Sequence, residues 1–110
     1  MSTLPTVNLL LSNMDKARDI LYLAWTKQLA KKLLNFEFSG FIELKSLELD
    51  ETNFQQILHL PNVYIRFALC KLKSELDSLG YDYSFKFEDV LDNDNYWGLS
   101  YKIELPEDLA

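Results

Sequence analysis

The 110-residue chain holds one cysteine, one histidine, three glycines and three prolines, and each scarcity closes off a class of structure or chemistry. With Cys70 alone no intramolecular disulfide can form, so stability has to come from a packed core, and a reducing, cytoplasmic setting is expected. Few glycines and prolines mean few and short loops. The first eleven residues lack the basic region and small-residue cleavage site of a secretory leader. The longest apolar run, Ile20 to Trp25, is six residues, against the ~20 needed to cross a bilayer, so no membrane span is expected. Gly-rich phosphate loops, a G-x-S-x-G elbow and Cys/His clusters are all missing, which leaves no expected cofactor and no metal.

What is present is the material of a core. Hydrophobic residues make up 48% of the chain and charged residues 25%, with 7 Phe, 6 Tyr and 2 Trp, a composition that folds rather than stays disordered. At this length a second independent core could not be built, so residues 1 to 110 are expected to form a single domain.

Periodicity then places the elements. Residues 1 to 11 suggest an extended arm or edge strand. Ser12-Asn13-Met14-Asp15 has the S-x-x-D form that opens a helix, and Met14, Ala17, Leu21, Trp25, Leu29 and Leu33 recur at helical spacing to about Leu34. Lys27, Lys31 and Lys32 fall near its end, where cations meet the negative pole of the helix dipole. From Phe36 to Lys45 the period is two: Phe36, Phe38, Gly40, Ile42 and Leu44 share a face, which predicts a strand with a bulge possible at Gly40 and a short extended piece over Leu47 to Leu49. Thr52-Asn53-Phe54-Gln55 predicts a second helix start, ending before Pro61. Ile65, Leu69, Leu72, Leu76 and Leu79 predict a long helix from Asn62, closed by Gly80. Tyr81 to Phe87 and Trp97 to Leu105 alternate as the arms of a hairpin that turns at Asp92-Asn93-Asp94-Asn95. Together these predict a two-layer α+β fold, an antiparallel sheet of three or four strands on two or three helices.

Candidate chemistry is thin. His59, beside Leu60-Pro61 at a helix end, sits in no catalytic motif and fits a capping or surface role better than catalysis. Cys70 lies about 140° around its helix from the leucine stripe, near Arg66 and Lys73, cations that could lower a thiol pKa. The plainer reading is that Val63, Phe67 and Cys70 make a second apolar stripe, packed on another element or a partner. Asp92, Asp94 and Tyr96 invite comparison with a calcium loop, but the sixth and twelfth positions would be Trp97 and Ile103, where a glycine and a glutamate belong.

Charge is the one distinctive feature. Residues 1 to 74 carry nine Lys/Arg and seven Asp/Glu, whereas residues 75 to 110 carry two lysines and ten acids. Glu88, Asp89, Asp92 and Asp94 crowd the hairpin turn. A net charge of −6 argues against direct nucleic-acid binding, and no carboxylate pair has a defined catalytic spacing. The expected function is therefore a non-enzymatic acidic protein–protein interaction domain, of the immunity-protein or phage-inhibitor type. Its partner would be a larger basic protein whose nucleic-acid-binding surface it occupies, bound through Glu88, Asp89, Asp92, Asp94 and Tyr96. Two alternatives stand beside it: a self-associating adaptor, such as a homodimer built on a strand edge or on Val63, Phe67 and Cys70, and a small ligand binder or enzyme with an aromatic-lined pocket.

Overall fold

The computed structural model describes residues 3 to 89 and 97 to 106. Its elements are α1 (Val7–Leu34), β1 (Ser39–Glu43), a 3₁₀ turn (Leu44–Ser46), α2 (Glu51–Leu58), α3 (Asn62–Leu79), β2 (Asp82–Asp89) and β3 (Trp97–Glu104). The fold is α+β. The antiparallel sheet has the order β1-β3-β2, so the last strand in sequence is central in space.

Of the expected arm, Val7 to Leu11 instead form the start of α1. Thr6 caps the helix, its hydroxyl accepting the Leu9 amide at 3.1 Å, and the leucines at 9, 10 and 11 are good helix formers. Ser12 and Asp15 consequently lie inside α1, where the Asp15 carboxylate pairs with Arg18 at 3.3 Å. The S-x-x-D pattern at this point is not a cap. In α2 the cap is likewise earlier than expected, with Asp50 accepting the Asn53 amide at 2.7 Å. Helix α3 spans the residues that its stripe predicts, and Gly80 (φ 85°) closes it.

Strand β1 is shorter than the alternation of residues 36 to 45 suggests. Phe36 (φ 61°) is the left-handed residue that ends α1: its amide donates to the Leu33 carbonyl at 3.0 Å and that of Glu37 to Lys32 at 2.8 Å, a Schellman closure. Gly40 is no bulge, because it pairs in register with Tyr101. A Cβ there would lie 3.3 Å from the Tyr101 ring and hydroxyl, so the glycine leaves room for the ring to cross β1. The Tyr101 hydroxyl then donates to the Glu37 carbonyl at 2.8 Å.

One face of the sheet meets the helices. Ile42, Leu99, Tyr101 and Ile103 are buried against Leu21, Trp25, Ile65, Leu69 and Leu72 in a single apolar cluster that draws on every element except β2, whose Tyr83 and Phe85 pack against it. Phe87 of β2 joins Trp97 and the fully buried Trp25 in a three-ring contact, with centroids 5.9 to 6.1 Å apart. The opposite face carries Ser84, Lys86, Glu88, Ser100, Lys102 and Glu104, which alternate with the buried residues along β2 and β3. On that face the Phe41 ring lies over Gly98, where a Cβ would come within 2.2 Å of it. Gly98 is thus a packing requirement of the β1–β3 pair.

Candidate functional site

The hairpin root is the best-defined part of the expected acidic site. Glu88 lies at the end of β2 on the uncovered sheet face. Its carboxylate accepts the Ser100 hydroxyl at 2.7 Å and stands 3.9 Å from the Lys86 ammonium. Asp89 is the last residue of β2 and pairs in register with Trp97. Asp92, Asp94 and Tyr96 lie outside the described residues. Lys102, like Lys86, stands beside a strand neighbour, 3.8 Å from Glu104. The cations of β2 and β3 therefore lie against acids of the same strand, which leaves the remaining acids of the last third in surplus. The described sheet face is thus a mixed-charge surface.

Beside this root is a cleft of about 280 Å³ walled by Asn62, Ile65 and Arg66 of α3 and by Phe87 and Trp97 of the hairpin. Trp97 is held there by its edge-on contact with Trp25. Trp25 Nε1 is buried with no hydrogen-bond acceptor among the described residues. The cleft joins aromatic walls to one guanidinium. Sequence reasoning offered an aromatic-lined pocket as an alternative but did not name these residues, because α3 and the hairpin meet only in the fold.

The second expected surface lies one step around α3. Val63 and Phe67 are 50% and 52% exposed, and Cys70 is an exposed free thiol. The three share a largely exposed side of the helix, outside the buried core cluster. Tyr64 meets Phe67 edge-on, with centroids 6.3 Å apart. His59 follows the last turn of α2, its amide donating to the Gln55 carbonyl at 3.3 Å, and its exposed side chain lines a shallow groove with Leu10, Met14, Leu60 and Pro61. Cys70 and His59 thus sit on different surfaces, and among the described residues no three His, Cys, Asp or Glu side chains gather where a metal could be held.

The lysines of α1 have more to do than meet the helix dipole. Lys31 and Lys27 approach the Glu48 carboxylate at 2.6 and 4.0 Å, tying the helix to the segment before α2. The hydrogen bond from Lys31, then the charges of Lys31 and Lys27, hold the Glu48 carboxyl below the usual carboxylate range. Tyr83 and Tyr101 move the other way: burial raises both phenols first, with Asp77 adding to the effect at Tyr83 and Glu37 at Tyr101. All three shifts run away from neutral pH, so none of these groups is tuned to exchange protons there.

A further surface was visible in the sequence only as an absence. No charged side chain occurs before Asp15. From Val7 on, this stretch forms the opening turns of α1, where Val7, Leu9, Leu10 and Leu11 are 72%, 52%, 48% and 41% exposed. No family model, curated protein or solved structure matches the chain.

Proposed function

We propose that this chain is a non-enzymatic protein–protein interaction domain that presents its acidic hairpin to a basic surface of a larger protein. An inhibitor that occupies a nucleic-acid-binding groove, as immunity proteins and phage-borne inhibitors do, is the specific form this takes; the analogy is one of composition. The observation that carries the reading is the segregation of charge: ten acids against two lysines from residue 75 onward. Support comes from the hairpin root, where Glu88 stands on a sheet face that no helix covers and the Phe87–Trp97 cleft opens on the opposite, helix-facing side of the same strands. Carboxylates would supply long-range attraction and the aromatic walls a desolvated anchor. A reducing, cytoplasmic location belongs to the same reading.

Binding kinetics against the partner recovered from cells test it. Asp92→Asn/Asp94→Asn, or a rise from low to moderate salt, should slow association more than it speeds dissociation, by about tenfold in on-rate, since field effects act within a Debye length of ~8–10 Å. Tyr96→Ala should instead shorten the lifetime of the complex. If neither the variants nor salt moves either rate, the hairpin acids serve only solubility. The adaptor alternative would then rest on the half-exposed Val63 and Phe67 of α3.

A further inference from the structure

Strand β2 is an edge of the sheet, since its neighbour there is β3 alone, and the register fixes where its backbone groups point. The Ile103 amide donates to the Phe38 carbonyl at 2.7 Å, so Leu99, Tyr101 and Ile103 turn their amides and carbonyls towards β1, and the residues between them turn theirs towards β2. Those intervening residues pair with Glu88, Lys86, Ser84 and Asp82. The amides and carbonyls of Tyr83, Phe85 and Phe87 therefore point out of the sheet, and no backbone group among the described residues pairs with them. Their side chains face the helices but are less covered than those of β3. Leu99, Tyr101 and Ile103 are at most 3% exposed, whereas Phe87 is 38% exposed and Tyr83 and Phe85 are half-buried.

We propose that a second copy of this chain adds its own β2 to this edge, antiparallel across a two-fold axis at Ser84, so that two sheets join into one of six strands. What selects a second copy is the sequence of β2, which complements itself in one register. Centred on Ser84, the pairing sets Asp82 opposite the partner's Lys86 and Tyr83 opposite the partner's Phe85, each twice, with Phe87 reaching Tyr81. Opposite charges then meet on the open face and aromatic rings on the helix face. The other registers that keep both helix layers on one side do not fit. Centred on Phe85, Asp82 meets Glu88; centred on Lys86, two lysines meet; centred on Phe87, Phe85 meets Asp89; centred on Tyr83, Lys86 has no acid opposite it. A lysine in mid-strand ordinarily deters pairing at an edge, but here an acid of the same strand, four residues earlier, answers it. A foreign strand would need the same acid, aromatics and base at the same spacing.

In this register Tyr83 and Phe85 of the two copies exchange backbone hydrogen bonds in both directions, using the groups that otherwise face water at the edge. Helix α3 lies above the strand, with Ile65 and Arg66 beside Phe87 and Asp77 beside Tyr83, so the joined surface is two layers deep. A strip ~24 Å long, from Tyr81 to Phe87, and ~20 Å deep, counted in both copies, comes to roughly 1,000 Å² at most. That is the lower edge of a specific interface, and the dimer is correspondingly weak and reversible. Antiparallel joining sends the two hairpin turns to opposite ends of the sheet, which keeps the acids beyond Glu88 apart and eases the repulsion between copies of net charge −6. The contact ends before Glu88 and does not rest on the acidic-hairpin reading.

Sedimentation over a concentration series decides the matter. The wild type is expected to move from 12.9 kDa to twice that mass with a dissociation constant of ~10–100 µM, as small interfaces give. Lys86→Glu alone and Asp82→Lys alone each set two like-charge pairs across the axis at exposed positions, and each should weaken the dimer at least about tenfold. An equimolar mixture of the two variants should associate as the wild type does, because the two changes then face each other with opposite sign. A Cys70→Ser/Ser84→Cys protein should cross-link to itself on oxidation, since the pair on the axis has its Cα atoms ~4.5 Å apart. Cys70→Ser/Ser100→Cys should not, its two positions being ~14 Å apart across three strand spacings. A wild type that stays monomeric at about 500 µM overturns the proposal. So do single variants that dimerise like the wild type, a mixture of the two that stays monomeric, or residue-84 thiols that join no faster than those at residue 100.

Discussion

Phe36 and Gly80 occupy the same place in the same motif and differ only in side chain. Each is the left-handed residue after a long helix, with φ of 61° and 85°, and each lies in a pair of closing hydrogen bonds, Glu37 to Lys32 for α1 and Tyr81 to Leu76 for α3. A left-handed non-glycine residue costs ~1–2 kcal/mol, and glycine gives back ~0.5–1 kcal/mol of that in unfolded-state entropy. Phe36 is 78% exposed and touches Phe38 with ring centroids 6.4 Å apart, so little packing opposes the exchange. Phe36→Gly is expected to stabilise the protein by about 0.5–1 kcal/mol, and Gly80→Ala to destabilise it by about 1 kcal/mol, since no atom within 4 Å obstructs the new methyl. Urea unfolding of both variants checks this; a destabilised Phe36→Gly would mean that the aromatic side chain holds the closure in a way its exposure does not suggest. The pair also explains what could be read in advance. Glycine announces a left-handed turn, whereas a phenylalanine in alternation with Phe38 looks like a strand, and only the backbone reveals otherwise.

At the scale of elements, legibility followed how self-contained each signal was. Helix α3 has its stripe, a proline before its start and a glycine after its end, all within one stretch of chain. Its buried leucines face α1 and the sheet. Leu72 and Leu76 are 2% and 5% exposed, and replacing either with alanine should cost ~2–5 kcal/mol through lost burial and a residual cavity. A loss below ~1 kcal/mol at both sites in chemical denaturation would show that the helix packs more loosely than its burial implies. The start of α1 was obscured by a competing signal: Ser12-x-x-Asp15 matches a cap, but Thr6 precedes it and takes the role, leaving Asp15 to pair with Arg18. Strand β1 was over-extended because its flanking apolar residues serve other ends, Phe36 in the helix closure and Leu44 in the 3₁₀ turn. The hairpin arms were legible from alternation alone, but the cleft at their root was not. It depends on Arg66 and Asn62 arriving from α3, and no periodicity within a single segment reports that.

For the whole molecule, two associations draw on charge to different degrees, and their response to salt sets them apart. The acidic surplus lies from residue 75 onward. Attraction between the hairpin and a basic partner is a field effect that ions screen, so its on-rate should fall by about tenfold between low and moderate salt. Joining of two β2 edges rests on backbone hydrogen bonds and aromatic pairs, which ions do not screen. Its charges act in opposition: Asp82 and Lys86 attract across the axis, while the like net charge of the two copies repels. Screening weakens both, so the dimer should change by no more than a factor of about two to three. The two measurements belong on one preparation: sedimentation for the dimer and surface kinetics for the hairpin partner, each at the same two salt concentrations. A dimer weakened about tenfold by the same rise in salt would mean that ion pairs rather than backbone bonds hold the copies together. Attention would then move from the β2 edge to the mixed-charge face of the sheet, where Lys86, Glu88, Lys102 and Glu104 could pair between copies as they now lie within one.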